Sequence, residues 1–392
     1  MPVTAGGERK KQRGAAGKPA AGGGDPLFLE GERILRLCNA CRYCEGYCAV
    51  FPAMERRLAF PEADLHYLAN LCHNCRECYY ACPYAPPHEF SLNLPRTLAE
   101  IRAASYRRYA WPRRFAGMFD RNGMKVSVAM VAAPLAFILA LLASAGAAVF
   151  FSAHSDAEGS FYRVMSHGAM TLAFGTVALL VLAALLAELQ RFRSDAGEDG
   201  ALLHPGAWAQ AVADTLRLRY LEGGGDGCAY PAEAPAHARR WFHHLTFYGF
   251  LLCFAATTVA AFDHYFLDRP APYPFWSAPV LLGTLGGVGL LIGPLGLLWL
   301  KRTRHPEPSD PKQAGMDTAF LILLLLVSAT GLLLLAFRER AAMGVLLAVH
   351  LGAVMGLFVT MPYGKFVHAG YRFLALLRNA AESRRHRQAA AQ

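Results

Sequence analysis

Six long apolar runs constrain this chain more than any other feature. They lie near residues 126–151, 162–188, 242–263, 277–300, 317–337 and 341–361. Each is about the 20 residues that a helix needs to cross a hydrocarbon core. In lipid every backbone N–H and C=O must be bonded internally, so only helices and closed barrels span. None of the runs alternates as a barrel strand does, so the sequence predicts a mainly α fold with six transmembrane helices. Composition agrees: 54% of residues are hydrophobic and only 17% charged. The net charge of +10 suits either nucleic acid or an anionic lipid surface. The apolar runs decide for the lipid bilayer, and no nucleic-acid partner is expected.

Orientation follows from Lys and Arg in the loops. Arg191, Arg193, Arg217, Arg219, Arg239 and Arg240 fall between spans two and three, and Lys301, Arg302, Arg304 and Lys312 between four and five. Lys365, Arg372, Arg378, Arg384, Arg385 and Arg387 follow span six. The opposite loops hold only Arg269, Arg338 and Arg340, with Arg163 at a span edge. The expectation is a multi-pass protein of the cytoplasmic (inner) membrane. Both termini and the 189–240 loop would then face the cytoplasm.

Ahead of the spans stand eight of the ten cysteines, in LCNACRYCEGYC and CHNCRECYYAC. Each run reads C-x2-C-x2-C-x3-C, the spacing that wraps one loop round three corners of a cubane cluster. In two-cluster ferredoxins the fourth cysteine of each run ligates the other cluster. By that rule Cys38, Cys41 and Cys44 join Cys82, and Cys72, Cys75 and Cys78 join Cys48. Pro83 follows Cys82 as in the ferredoxin pattern, whereas Ala49 follows Cys48. Structural zinc favours two separated C-x2-C pairs and has no use for the third cysteine. The expectation is therefore two [4Fe–4S] clusters. The stretch between the runs, MERRLAFPEADLHYLANL, reads as helical, which favours an α-helical ferredoxin-like domain. Cys228 and Cys253 have no partner at ligand spacing and read as ordinary thiols. His66, His73 and His88 read as solvated or locally bonded.

Ionisable residues inside spans are rare and raise functional hypotheses. Span two has His167, span three begins with His243 and His244 and ends at His264, and span six has His350, with His368 just beyond. His350 and His368 are 18 residues apart. That is five whole turns and roughly 27 Å if one helix continues, though Pro362 lies between them. Topology puts His368 near His243 and His244, and His350 at the depth of His167 and His264. Two histidine pairs at two depths suit haem b held between facing helices, one haem or two.

The double cysteine head, the span RRWFHHLTFYGFLLCFAATTVA and the ending MPYGKFVHAGYR resemble the tricarballylate-utilization B, or citrate-utilization B, family over residues 25–380. The resemblance implies a protein that reoxidises the flavin of a partner FAD-dependent dehydrogenase and passes electrons to the membrane quinone pool. The related flavoprotein fusion of a cobalamin-biosynthesis oxygenase shows that the donor varies. The last helix more distantly resembles haem subunits of nitrate reductase and heterodisulfide reductase. The residues agree with a relay. No G-x-G-x-x-G follows a strand, GGVG at 286–289 lies in a span, and no organic-substrate site is recognisable.

The layout expected from sequence is a disordered basic tail over 1–24, a two-cluster domain over 25–100 and a basic interfacial linker over 101–124. A transmembrane haem-binding bundle over 125–372 and a basic tail over 373–392 complete it. A redox sensor would need an output domain, for which the tail is too short. A transporter would show broken helices and paired charges at mid-membrane.

Overall fold

The structure, a computed structural model, describes residues 25–153, 160–196, 200 and 203–392. The basic segment 1–24 lies outside the described residues. Among those described the chain is helical, and strand pairing is limited to one isolated bridge between Cys228 and Ala236.

Five helices build the cysteine domain: α1 (Pro26–Cys41), α2 (Val50–Glu55), α3 (Glu62–Leu71), α4 (Glu77–Tyr80) and α5 (Leu94–Tyr109). Helix α1 starts at Asp25, whose carboxylate accepts from the Leu27 N–H at 2.9 Å, with Pro26 in the first turn. Helix α5 starts the same way, with Asn93 accepting from the Arg96 N–H. The apolar faces of α1, α3 and α5 meet through Ile34, Leu35, Leu65, Leu68, Leu98 and Ile101.

Helix α5 corrects one expected boundary. Ile101, Arg102, Ser105, Tyr106 and Tyr109 are buried in this domain, so residues 101–109 are core rather than linker. Their apolar and aromatic positions recur at helical spacing, and the arginines between them disguise the pattern. The exposed basic segment shrinks to a 3₁₀ stretch, Arg113–Phe119, with Arg113, Arg114 and Phe115 outermost.

The six spans are α6 (Asn122–Ala145), α9 (His167–Ala196), α11 (Ala238–Leu267), α12 (Ala278–Thr303), α13 (Ala314–Phe337) and α14 (Met343–Thr360). Short helices α7 (Ala147–Phe150) and α8 (Ser160–Val164) lie between the first two. Leu172, Leu179, Leu180 and Phe254 stand exposed on the spans, as side chains facing lipid do. With these spans the chain is a multi-pass membrane protein. Helices α11 and α12 form a tight pair, because a Cβ on Gly293 would lie 2.5 Å from Thr246 Oγ1 and one on Gly249 2.9 Å from the Gly286 carbonyl. Small residues let two backbones touch where no hydrophobic force drives them together.

Helices α10 (Pro205–Leu216) and α15 (His368–Ala390) complete the set. Helix α15 occupies the expected C-terminal tail. Tyr371, Ala375, Leu376, Leu377, Ala380 and Ala381 recur at helical spacing and bury against α3 and α10. Arg378 pairs with Asp64 at 2.6 Å, and Glu382 with Arg57 at 2.5 Å. The segment is a strap, because its basic residues alternate with an apolar stripe that needs covering.

Candidate metal centre

The eight cysteines divide between two adjacent cavities. One is lined by Cys38, Cys41, Cys44 and Cys82, together with Phe51, Pro83, Tyr84 and Leu92. The other is lined by Cys48, Cys72, Cys75 and Cys78, with Pro95 and Leu98. Cys78, Phe51 and Leu94 form walls of both, so the cavities are neighbours. The outer cavity thus takes Cys82 and the shared Cys78 from the second run, and the inner one takes Cys48 from the first. Helix α1 ends at Arg42 in the left-handed region (φ 57°), which turns the Cys41–Cys48 loop back over the first cavity.

Among the described residues no three His, Cys, Asp or Glu side chains converge closely enough to hold a single ion. Four thiols ringing a cavity suit a larger inorganic core. Burial, and then the thiolates of Cys82, Cys44 and Cys41, push the Cys38 thiol up to about 12. Burial and Cys72 push Cys48 up to about 12, and burial with neighbouring thiolates pushes Cys75 and Cys78 well up. Four thiolates can coexist here at neutral pH only around concentrated positive charge.

The two cavities differ in exposure. Cys41 and Tyr43 are exposed on the outer one, Tyr43 by 64%. The inner one is covered by the segment after α10, where Leu218, Leu221, Cys228 and Tyr230 pack with Cys75 and with Leu300 at the end of α12. Cys228 donates to the Leu221 carbonyl at 3.1 Å and Cys253 lies in α11, so neither lines a cysteine cavity.

Four arginines, of which Arg239 and Arg372 counted in the sequence as loop charge, stand at the inner cavity or on the loop that leads into it. Arg102 donates to the carbonyls of Ala69 (3.1 Å) and Cys72 (2.7 Å). Arg372 donates to those of Asn70 (3.4 Å) and Cys72 (2.8 Å), and Arg239 to those of His73 (3.1 Å) and Asn74 (2.6 Å). Arg76, fully buried between Cys75 and Cys78 in the chain, donates to the His305 carbonyl and Ser309 and stacks on Tyr230 at 4.4 Å. Burial pulls the Arg76 guanidinium down to about 10, and burial with the Arg102 charge does the same to Arg372. No spacing in the sequence marks these residues; apart from Ser309 and Tyr230 at Arg76, their partners are backbone carbonyls, which leave no trace in side-chain pattern.

The histidines sort by depth. His243 on α11 faces His368 at the start of α15, ring centroids 6.4 Å apart and planes at 70°. At about 2 Å per metal–imidazole bond, two rings facing across one metal have centroids roughly 6 Å apart. His368 Nδ1 lies 2.5 Å from the Lys365 carbonyl, which fixes its tautomer and leaves Nε2 free. His244 lies instead beside Trp241 and Tyr248. His350 and His368 do not share a helix. Helix α14 ends at Thr360, and two 3₁₀ turns around Pro362 and Gly364 precede α15, because proline removes a donor. His350 bonds Thr330 Oγ1 at 3.1 Å on α13. His167 stacks on His264 at 3.7 Å rather than meeting His350, and rings in face contact leave no room for a metal plane between them. His66 bonds Ser105 at 2.8 Å, His73 bonds the Leu71 carbonyl at 2.8 Å, and His88 accepts from the Phe90 N–H at 3.1 Å, so all three are locally bonded.

The domain that carries the cysteines matches the profile described as citrate utilization protein B Fer4-like domain, over residues 31–108. The membrane part matches that described as citrate utilization protein B, over residues 121–390. A curated relative, citrate utilization protein B of Escherichia coli, is 49% identical over 361 residues, covering 92% of this chain and 94% of the relative. No solved structure matches. The chain therefore belongs to the citrate utilization protein B family, and joins that family's Fer4-like domain to six membrane-spanning helices.

Proposed function

We propose that the protein is a membrane-bound electron relay. In this reading Cys38, Cys41, Cys44 and Cys82 hold an outer [4Fe–4S] cluster, Cys48, Cys72, Cys75 and Cys78 an inner one, and His243 and His368 one b haem. When bound, these groups supply one-electron carriers. Reduced flavin of a partner FAD-dependent dehydrogenase, of the tricarballylate dehydrogenase kind, is the donor, and the quinone pool of the inner membrane the acceptor.

The observation that carries this reading is the link between cavities and histidines. Arg239 and His243 stand one turn apart on α11, and His368 and Arg372 one turn apart on α15. Both arginines grip carbonyls of the loop that holds Cys72. The chain thereby ties the inner cysteine set to the histidine pair through two hydrogen-bonded contacts. The exposed rim at Cys41 and Tyr43 suits partner docking. The 304–313 connection, α10 and α15 all pack on the cysteine domain's end of the bundle, which is the cytoplasmic end in this reading. Transport is less well supported. The partly buried ions Lys301, Asp317 and Lys365 cluster at that same end rather than at mid-span, with Lys365 2.7 Å from Asp317.

Optical and EPR spectra of the purified chain, with Cys41→Ser and Cys75→Ser variants, test the reading. Each variant is expected to lose a different [4Fe–4S] signal and to stop reduction of quinone by the flavoprotein. Loss of one shared signal in both would refute the two separate ligand sets.

A further inference from the structure

Arg76 lines the inner cysteine cavity, and Arg102, Arg239 and Arg372 bond the backbone of the loop that leads into it. Arg76 is 0% exposed and Arg102 5%, while Arg239 and Arg372 are partly buried. Among the described residues none of the four lies within ion-pair distance of a carboxylate. They come from four elements: the loop before α4, α5, α11 and α15. Three aim at the carbonyls of residues 69–74, which close α3 and lead through Cys72. A buried guanidinium without a counter-ion costs several kcal/mol. Carbonyl dipoles at a helix C-terminus offset part of that cost. Two buried and two partly buried guanidinium groups together favour an anion among them, and four cysteine thiolates round an iron–sulfur core supply a net negative one. The outer cavity has no such surround. Its lining is Tyr43, Phe51, Pro83, Tyr84, Leu92 and Leu94 besides cysteines, and the nearby Arg42 is exposed, donating to the Asn39 carbonyl at 3.2 Å. Water screens a charge placed like that.

We infer that Arg76, Arg102, Arg239 and Arg372 are the counter-charge of the inner [4Fe–4S] centre and hold its reduction potential above that of the outer centre. This rests on the two-cluster reading above. Reduction adds one negative charge to the inner centre, and fixed positive charges stabilise that form over the oxidised one. One electron leaves the outer centre as the inner centre gains it, with no bond or proton changed. An electron delivered at the exposed rim therefore runs inward, toward the histidine pair. The arginines are positioning residues, acting through the centre's surroundings rather than as ligands.

The test is an EPR-monitored redox titration of the full-length, cluster-loaded protein, with the inner signal assigned by its loss in Cys75→Ser. Arg102→Gln and Arg372→Gln are each expected to lower the inner reduction equilibrium at least tenfold, about 59 mV for one electron. The outer midpoint stays unchanged, and Arg42→Gln moves neither. Arg372→Lys keeps the charge and is expected to stay near wild type. A lysine variant shifted as far as glutamine would show that hydrogen bonding, not charge, sets the potential, and would overturn the inference. So would equal shifts of both centres, or none. If a glutamine variant fails to assemble the inner centre, assembly in the lysine variant still supports charge compensation, and failure in both overturns it. Absence of two [4Fe–4S] signals in the wild type would instead refute the ligand assignment.

Discussion

Arg372 donates from Nη2 to the carbonyl of Cys72 at 2.8 Å, and His368 begins the same helix one turn earlier. The loop that carries an inner cysteine is thus fastened directly to the helix that presents the half-buried His368 to His243. The contact joins the Fer4-like domain to the membrane bundle through one side chain.

His368→Ala and His243→Ala are expected to abolish the absorbance of a b-type haem while leaving both iron–sulfur signals in place. His244→Ala, whose ring lies against Trp241 and Tyr248, is expected to keep it. Difference spectra of dithionite-reduced against oxidised membranes read the result. An unchanged haem band in the His368 variant would remove the pair as ligands.

Glu382→Ala leaves Arg57, whose side chain is 8% exposed, without its closest carboxylate. Arg378 loses its i,i+4 partner in the same change. Removing one member of a buried ion network costs about 3–5 kcal/mol. A lower Tm, read from bleaching of the iron–sulfur chromophore, is expected, together with faster proteolysis of α15. A double Arg57→Met, Glu382→Leu variant is expected to recover part of the loss.

Substitutions at the α11–α12 contact separate close packing from mere apolarity. A Cβ at Gly293 meets Thr246 at 2.5 Å and backbone at 2.6 Å, whereas nothing lies within 4 Å of one at Gly175 on α9. Gly293→Leu is expected to drive the two helices apart and reduce the yield of folded protein in detergent severalfold. Gly175→Leu is expected to express as wild type does. Size-exclusion profiles of the two variants check the contrast.

His66 supplies a pH dependence. Burial first, and then the nearby Arg108 charge, hold its pKa below the ordinary 6.5, and its ring bonds Ser105. The unfolded chain therefore binds a proton at a higher pH than the folded one does. The stabilisation is complete above about pH 6.5 and is lost as pH falls through the unfolded and then the folded value. His66→Gln is expected to flatten the slope of stability against pH below 6.5, measured by denaturant melts. An unaltered slope would assign the acid sensitivity to other groups.

Much of this was legible in the residues. The apolar runs placed all six spans, and the C-x2-C-x2-C-x3-C spacing marked eight thiols that the fold brings round two cavities. The misreadings share a cause. Residues 101–109 and 373–390 look basic and solvated, yet they form α5 and α15. Arginine carries a long apolar stem and N–H donors that backbone carbonyls accept from as readily as water does. Charge counting therefore saw a linker and a tail where packing makes a core helix and a strap. The histidine phase argument failed at Pro362 and Gly364, where the helix ends and restarts.

The sequence by itself determined that this chain is helical, lies in a membrane and begins with a cysteine-rich ferredoxin-like head, because hydropathy and ligand spacing are local properties of a chain. Only the tertiary structure decided that His243 meets His368, that His167 meets His264 instead of His350, and that Arg102, Arg239 and Arg372 converge on one loop. Those juxtapositions join α3, α5, α9, α11 and α15, segments up to some 300 residues apart. Hydrogen bonds to backbone carbonyls bring the three arginines to that loop, and a carbonyl is the one acceptor that every residue in a sequence offers alike.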